Sequence, residues 1–271
     1  MYGHARDASS AGSIDSAASP GAGAFTFHGT ITPADFPPFS GPDGVTRLPV
    51  ALPPRPALES VAYLPLDGTV VTTAFVRDKL ADLASDLLHS VKQSTVIDAP
   101  SNNAARAVSA PAYLPPSIAL LVTFDDHDTE LAIPAHALVW AATGSPRLSP
   151  CVDLRPPSPP REQVQPSLHL PMFSLRLPSC EAWSLLHDYI YLRSPEGLLE
   201  ALVNGAAVSS DGEAFDAVKA RRQGDVRRLD LVRKLWLNVV ALETADEGLW
   251  RTMSEAWRIL YERITSDLPE P

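Results

Sequence analysis

The densest group of metal- and proton-binding side chains in the chain is "DDHD", Asp125, Asp126, His127 and Asp128. Three carboxylates around an imidazole are the donor types of a divalent-cation site, and a His–Asp pair is the donor type of a general base. The spacing argues against both. Neighbouring residues of an extended chain point to opposite faces, so four in a row do not converge on one ion. The cluster also falls where a hairpin tip is expected, and it reads as a solvated turn. His136 follows Pro134 at a strand-to-helix corner, a place that suits packing or capping better than catalysis.

Two further sets of residues invite chemistry. Cys151 and Cys180 are the only cysteines, neither lies in a C-x-x-C, and no second pair completes a zinc site. They read as small apolar thiols of a reduced compartment; a disulfide between them has no support. "KARRQGDVRRLDLVRK", 219–234, gathers Arg221, Arg222, Arg227, Arg228, Arg233 and Lys234. Such a cluster suits phosphates or an import receptor. Asp225 and Asp230 are interleaved with it, so it reads as a solvated helix face, with an import signal left open. No phosphate-binding loop, dinucleotide fingerprint, nucleophile elbow or H-E-x-x-H occurs. The expectation is no catalytic residue, no metal ligand and no cofactor.

The elements that carry these residues follow from periodicity. "YLPLDGTVVTTAFV", 63–76, has a turn at Asp67-Gly68 and β-branched residues after it, which predicts a strand or short hairpin. "RDKLADLASDLLHSV" repeats Leu80, Leu83, Ala84, Leu87, Leu88 and Val91 along one helical stripe. Residues 93–116 read as a loop. "SIALLVTF", 117–124, and "ELAIPAH" frame the DDHD turn as a hairpin, and "HALVWAATG" is a helix that stops at Gly144. "LPMFSLRLPS" is a third strand, with Ser179 the expected N-cap of the helix in "CEAWSLLHDYIYL". "PEGLLEALVNG" is opened by Pro195 and closed by Gly205. "SSDGEAFDAVKARRQGD" is polar and is compatible with another helix. Two amphipathic helices end the chain: Leu229, Val232, Leu235, Trp236 and Val239 line one, and Leu249, Trp250, Met253, Trp257, Leu260, Tyr261 and Ile264 line the other. Their short connection, 243–246, predicts antiparallel packing.

Composition bounds the rest. The 27 prolines among 271 residues are close to twice ordinary usage. Residues 1–58 are dominated by Ala, Ser, Gly and Pro and predict a disordered arm; Phe25, Phe27, Phe36 and Phe39 read as isolated aromatics of a loose tail, with docking on the domain or on a partner as the alternative. Residues 59–271 form a single domain. Pro146, Pro150, Pro156, Pro157, Pro159, Pro160 and Pro166 forbid regular structure between its halves, so 149–168 reads as an inserted loop before the C-terminal helix pair, 226–265. A net charge of −10 argues against broad binding of nucleic acid or anionic membranes. No secretory leader core and no apolar run of about 18 residues occurs. An intracellular, soluble protein is expected.

"IPAHALVWAATGSPRL" and "LPMFSLRLPSCEAWSLLHDYIYL" together resemble the BTB/POZ domain. In that family a strand ends in F-x-A-H-K, its helix finishes S-x-x-F, and a later strand leads to F-x-x-L-L-x-x-L-Y-T-G. Ile133, Ala135, His136, Ser145 and Leu148 stand at the first motif, and Trp183, Leu186, Tyr189, Ile190 and Tyr191 at the second. Ala137 replaces the basic residue, Leu148 the aromatic, and no Thr-Gly follows Tyr191. From about 60 to 265 the chain is also similar to the clampless proteins of basidiomycete fungi. The C-terminal pattern of Trp236, Leu242, Leu249, Trp250, Ala256 and Trp257 carries that resemblance.

The resemblance implies an α+β fold: a BTB/POZ-like domain with a helical C-terminal extension and a disordered N-terminal arm. It implies a non-enzymatic regulator of clamp-cell formation and dikaryotic growth, in the nucleus rather than the cytoplasm. Its partners would be proteins, transcription regulators of the mating pathway or a second copy among them, and neither nucleic acid directly nor a membrane. A substrate adaptor of a cullin ubiquitin ligase and a small enzyme with an unrecognised site stand as alternatives.

Overall fold

The computed structural model describes residues 39, 48–66, 68–98, 104–108, 114–154, 168–205 and 214–266. The expectations for Phe25, Phe27 and Phe36, and for most of the proline-rich loop, lie outside them. The fold is mixed α+β. A hairpin of β1 (Tyr63–Leu66) and β2 (Thr69–Thr72) leads into α1 (Thr73–Ala81) and α2 (Ala84–Gln93). Then come β3 (Thr95–Asp98), β4 (Ala104–Val108), β5 (Ile118–Phe124), β6 (Glu130–Ala135) and α3 (Ala137–Ala141). A 3₁₀ turn at Ser149–Asp153 precedes β7 (Leu168–Leu177), α4 (Trp183–Leu192), α5 (Pro195–Asn204), α6 (Ala214–Ala241) and α7 (Glu247–Ser266).

The larger sheet has the order β3-β4-β7-β5-β6. Strand β5 is its apolar centre: Ile118, Leu120 and Val122 are inaccessible to water. It pairs antiparallel with β6 and parallel with β7, with Ala119 opposite Met172 and Phe124 opposite Leu177. Pro134 is tolerated in β6 because that strand lies at the sheet edge, where a missing N–H costs no ladder bond. One apolar core runs from Phe39 through the sheet to Ile264, so the two halves flanking the proline-rich stretch are one body. Among the described residues no helix is long and apolar enough to cross a membrane.

Several expectations are corrected. Residues 93–116 are not only loop, for β3 and β4 lie within them. "TVID" and "AARAV" are short and the second is alanine-rich, so local propensity is weak; pairing of β4 with β7 makes them strands. The helix expected around 77–91 is two helices, broken at Asp82–Leu83, because its halves pack on different partners. Helix α1 lies against the β1–β2 hairpin and α3, and α2 against α4. The C-terminal pair does not begin at 226: α6 is one helix from Ala214. It crosses Gly224, where a helix loses only about 1 kcal/mol, and the buried Asp225 carboxylate holds Arg228 at 2.9 Å just beyond. Ser179 caps nothing. Asn238 of α6 takes its backbone, accepting the Ser179 N–H at 2.9 Å and donating to its carbonyl at 2.8 Å, and α4 starts after Ala182 without a side-chain cap.

The boundaries at 58 and 149 also move. Leu48, Leu52 and Leu58 pack on the core, Phe39 is buried edge-on against Trp257, and the Trp257 indole donates to the Pro49 carbonyl. Arg55 lies over the Trp250 ring and pairs with Glu247 at 2.9 Å. Leucines spaced through a proline-rich run show no period, yet an extended chain can lay each into a groove on the helix pair. Leu148, at the flank of the expected loop, and Cys151, within it, are fully buried, and burial pushes the Cys151 thiol up to about 12.

Phe39→Ala and Trp257→Ala should each destabilise the protein by about 3–5 kcal/mol. A double-mutant cycle by chemical denaturation should return a coupling of about 0.5–1.5 kcal/mol for the edge-on pair. A protease site engineered between 155 and 167 should yield two fragments that co-elute on gel filtration, because β7 is laddered to both β4 and β5.

Candidate functional site

The residues of the two motifs meet at one corner. Strand β6 ends at Ala135, and His136 turns the chain into α3, whose Ala137 N–H is capped by the Ser117 hydroxyl at 2.9 Å. His136 is buried. Its backbone N–H donates to the Tyr191 hydroxyl of α4 at 3.1 Å, its Nδ1 lies 3.3 Å from that hydroxyl, and its Nε2 lies 3.2 Å from the Leu114 carbonyl. One tautomer satisfies all of this: Nε2–H donates to Leu114, and Tyr191 O–H donates to Nδ1 while accepting the N–H. Burial holds the His136 imidazole below its ordinary value, and the Leu114 carbonyl offsets only part of that. Burial pushes the Tyr191 phenol well up. A neutral imidazole with both nitrogens occupied inside protein is a strut, with no free face for a substrate.

Beyond α3, Gly144 adopts φ +78°, where a side chain would be strained and a Cβ would stand 3.3 Å from the Ser60 hydroxyl. Its carbonyl accepts the Val61 N–H at 2.8 Å, which fixes the start of the β1–β2 hairpin. Leu64, facing inward from β1, is fully buried with Val76, Ala141 and Ala142. Residues of an antiparallel pair that stand opposite share a face. With Tyr63 opposite Thr72 and Pro65 opposite Val70, the outward face carries Tyr63, Pro65 and Val70. Tyr63 is 61 % and Val70 71 % exposed, and Phe75 in the first turn of α1 is 53 % exposed. This is an outward apolar face on an anchored element.

The far end of α4 carries a second constellation. Arg193 caps the helix at φ 48°, a left-handed position that glycine takes at less cost. Its guanidinium meets Asp246 Oδ2 at 2.6 Å, while Asp246 Oδ1 accepts from the Tyr189 hydroxyl at 3.1 Å and from the Leu249 N–H at 3.1 Å. Asp246 thus caps α7 and holds α4 to it.

The residues singled out for chemistry are dispersed. Asp125 pairs with Arg176 at 2.6 Å, Asp126 accepts the Cys180 N–H at 2.9 Å, and His127 accepts the Thr129 N–H at 3.1 Å. Asp125, Asp126 and His127 are thus drawn to three different partners. Among the described residues no group of three or more His, Cys, Asp or Glu is placed to hold a metal ion. Cys151 and Cys180 are both free thiols. Of the basic cluster, Arg228 pairs with Asp225, Arg233 with Asp230, and Lys234 with Glu181 and Asp230, and Arg233 is buried. Arg221, Arg222 and Arg227 face solvent.

A cavity of about 410 Å³ between α2, β6 and α4 holds a grouping that sequence reading missed. His187 Nδ1 lies 3.4 Å from Asp188, whose other oxygen pairs with Lys92 at 2.9 Å. The His187 hydrogen bond, then Lys92, holds the Asp188 carboxyl below its ordinary value despite some burial. A His–Asp–Lys set resembles a base and its orienter. Yet the His187 Nε2 that would take a proton is sealed from the surface and meets no partner, so it does not reach a substrate. The only signal for this set was adjacency in "HD", which occurs twice in the chain.

Because His136 is neutral and buried in the fold, the unfolded chain binds its proton more readily. Stability should fall as pH drops below the ordinary histidine value of about 6.5, with a contribution of at most about 1.4 kcal/mol per pH unit. Urea melts between pH 7.5 and 5.5 should show a shallower slope for His136→Gln than for the wild type. Comparison with protein-family models, with curated proteins and with solved structures finds no match to this chain.

Proposed function

We propose that the chain is a non-enzymatic protein–protein interaction module of BTB/POZ-like type, acting in basidiomycete sexual development at clamp-cell formation. The developmental role rests on the sequence resemblance. The interaction role is supported by the outward apolar face of Tyr63, Pro65 and Val70, with Phe75 exposed on the helix that follows. Water is a poor solvent for such a face, and its association with a protein surface buries apolar area, worth about 25 cal/mol per Å². The strand-to-helix corner supports the BTB-like part: His136 and Tyr191, one from each motif, bond to each other across the core. The histidine at the motif position then needs no catalytic explanation. The net charge of −10 favours protein over nucleic-acid partners.

Tyr63→Glu with Val70→Glu tests the reading. Both side chains are exposed, so each change should cost less than about 0.5 kcal/mol. Co-purification of partners from dikaryotic hyphae, read by mass spectrometry, should lose those held by the wild type, and clamp cells should fail in a strain carrying only the double variant. Normal clamp formation in a strain lacking the protein altogether overturns the developmental role. Unchanged partners in the double variant overturn the hairpin face as the contact.

A further inference from the structure

Arg193 has a neighbour of its own sign. Arg77 of α1 and Arg193 line one cavity of about 130 Å³, with Leu80, Val139, Ile190 and Leu192 as its apolar wall. Asp246 is the counter-ion, and its carboxylate is engaged by Arg193, by the Tyr189 hydroxyl and by the Leu249 N–H. Arg77 spends its Nε on the Thr73 carbonyl at 3.4 Å. The second terminal nitrogen of Arg193 is buried without a partner. Burial and the nearby Arg77 both push the Arg193 guanidinium below its ordinary value, against the pull of Asp246. Two guanidiniums therefore line one apolar cavity, and only that of Arg193 is paired with a carboxylate, in a chain that is otherwise strongly acidic.

We propose that this cavity is a recognition pocket for an acidic residue of a partner protein: a Glu or Asp carboxylate set between Arg77 and Arg193, with an adjoining aliphatic side chain against the Leu80–Leu192 wall. A carboxylate adds negative charge between the two guanidiniums that line the cavity, and a guanidinium fork is the best match for it. Size selects the source. Sites for free small molecules run to about 300–1,000 Å³, so about 130 Å³ holds the end of a side chain whose backbone stays outside. Leu192, 41 % exposed, extends the apolar wall to the surface where that backbone would lie. The inference rests on the protein-interaction reading and names the chemistry of the partner.

The probes are N-acetyl-Leu-Glu-amide and its Gln counterpart, titrated into the full chain with the arginine side-chain Nε–H signals followed by NMR. The Glu probe should shift the Arg77 and Arg193 signals saturably, and the Gln probe should bind at least tenfold more weakly. Arg77→Gln, which leaves the Asp246 pair untouched, should abolish the Glu-specific shift. Arg193→Gly, placed where glycine fits the backbone, should keep the fold by circular dichroism and also lose it. No saturable shift, equal shifts from both probes, or a shift that survives Arg77→Gln overturns the proposal. Saturable binding of isovalerate with no response to the dipeptide also overturns it, in favour of a free-acid site. The wider reading is judged apart: if the wild type retains partners that Arg77→Gln retains equally, the pocket fails and the interaction reading stands; if the wild type retains none, the interaction reading fails.

Discussion

The structure depends on how the C-terminal end of α6 is satisfied. The last carbonyls of a helix have no partner within it, and a buried helix end must find them elsewhere. Here Glu243 turns left-handed at φ 54°, so that its N–H returns to Val240 and the Thr244 N–H to Val239. The next carbonyls are taken by other parts of the chain. The Leu242 carbonyl accepts from the Ser145 hydroxyl at 2.5 Å and the Ala241 carbonyl from Arg147 at 2.5 Å, both from the corner after α3. The Thr244 carbonyl accepts from the Trp250 indole at 2.9 Å, and Arg55 reaches Ala245 at 3.4 Å. Asp246 then gathers Arg193 and Tyr189 of α4. Three segments far apart in sequence thus close on one turn.

That arrangement explains why the helix pair is not an appendage. A buried carbonyl left without its donor costs about 1–3 kcal/mol, so separating the pair from the corner would expose several such losses together. Ser145 also accepts the Arg147 and Leu148 N–H groups at 3.1 and 3.2 Å, which holds the chain in the tight turn that buries Leu148. The serine that resembled a motif residue is a junction. Its hydroxyl organises its own turn and the end of another helix, and Ala in its place would take that partner from the Leu242 carbonyl and the Arg147 N–H.

Periodicity made legible whatever is amphipathic over two turns or more, or alternates beside a turn. The β5–β6 hairpin, β7 and the stripes of α6 and α7 are of that kind. What stayed hidden was decided by distant partners. Strands β3 and β4 depend on β7, and the grip of 48–58 depends on grooves that exist only once α6 and α7 are packed. Ser179 looked like a cap because capping is local, but Asn238 outbid it from 59 residues away. At the site, His136 and Tyr191 were legible as motif residues, whereas their bond was not, since it joins positions 55 apart. Arg193 carried no signal of its own in the sequence, because its left-handed backbone and its ion pair are set by tertiary contacts.

Rigidity connects the buried corner to the exposed hairpin. An interaction surface gains little if its segment must be ordered when the partner arrives, since each residue fixed costs about 1–2 kcal/mol in backbone entropy. The β1–β2 hairpin has only four residues in each strand and would not hold its shape alone. It is held instead at both ends: the Val61 N–H is bound by Gly144, and the Thr73 N–H by Ala62 where α1 begins. Leu64, with no exposed surface, pins the middle against Ala141 and Ala142. The same corner that delivers Ser145 to α6 therefore fixes Tyr63, Pro65 and Val70 in space. Loosening the Gly144 turn, for example with a β-branched residue at its φ of +78°, would weaken binding through the hairpin while leaving every residue of its outward face unchanged. In that sense the corner is a positioning element for the proposed contact surface, at a distance from it.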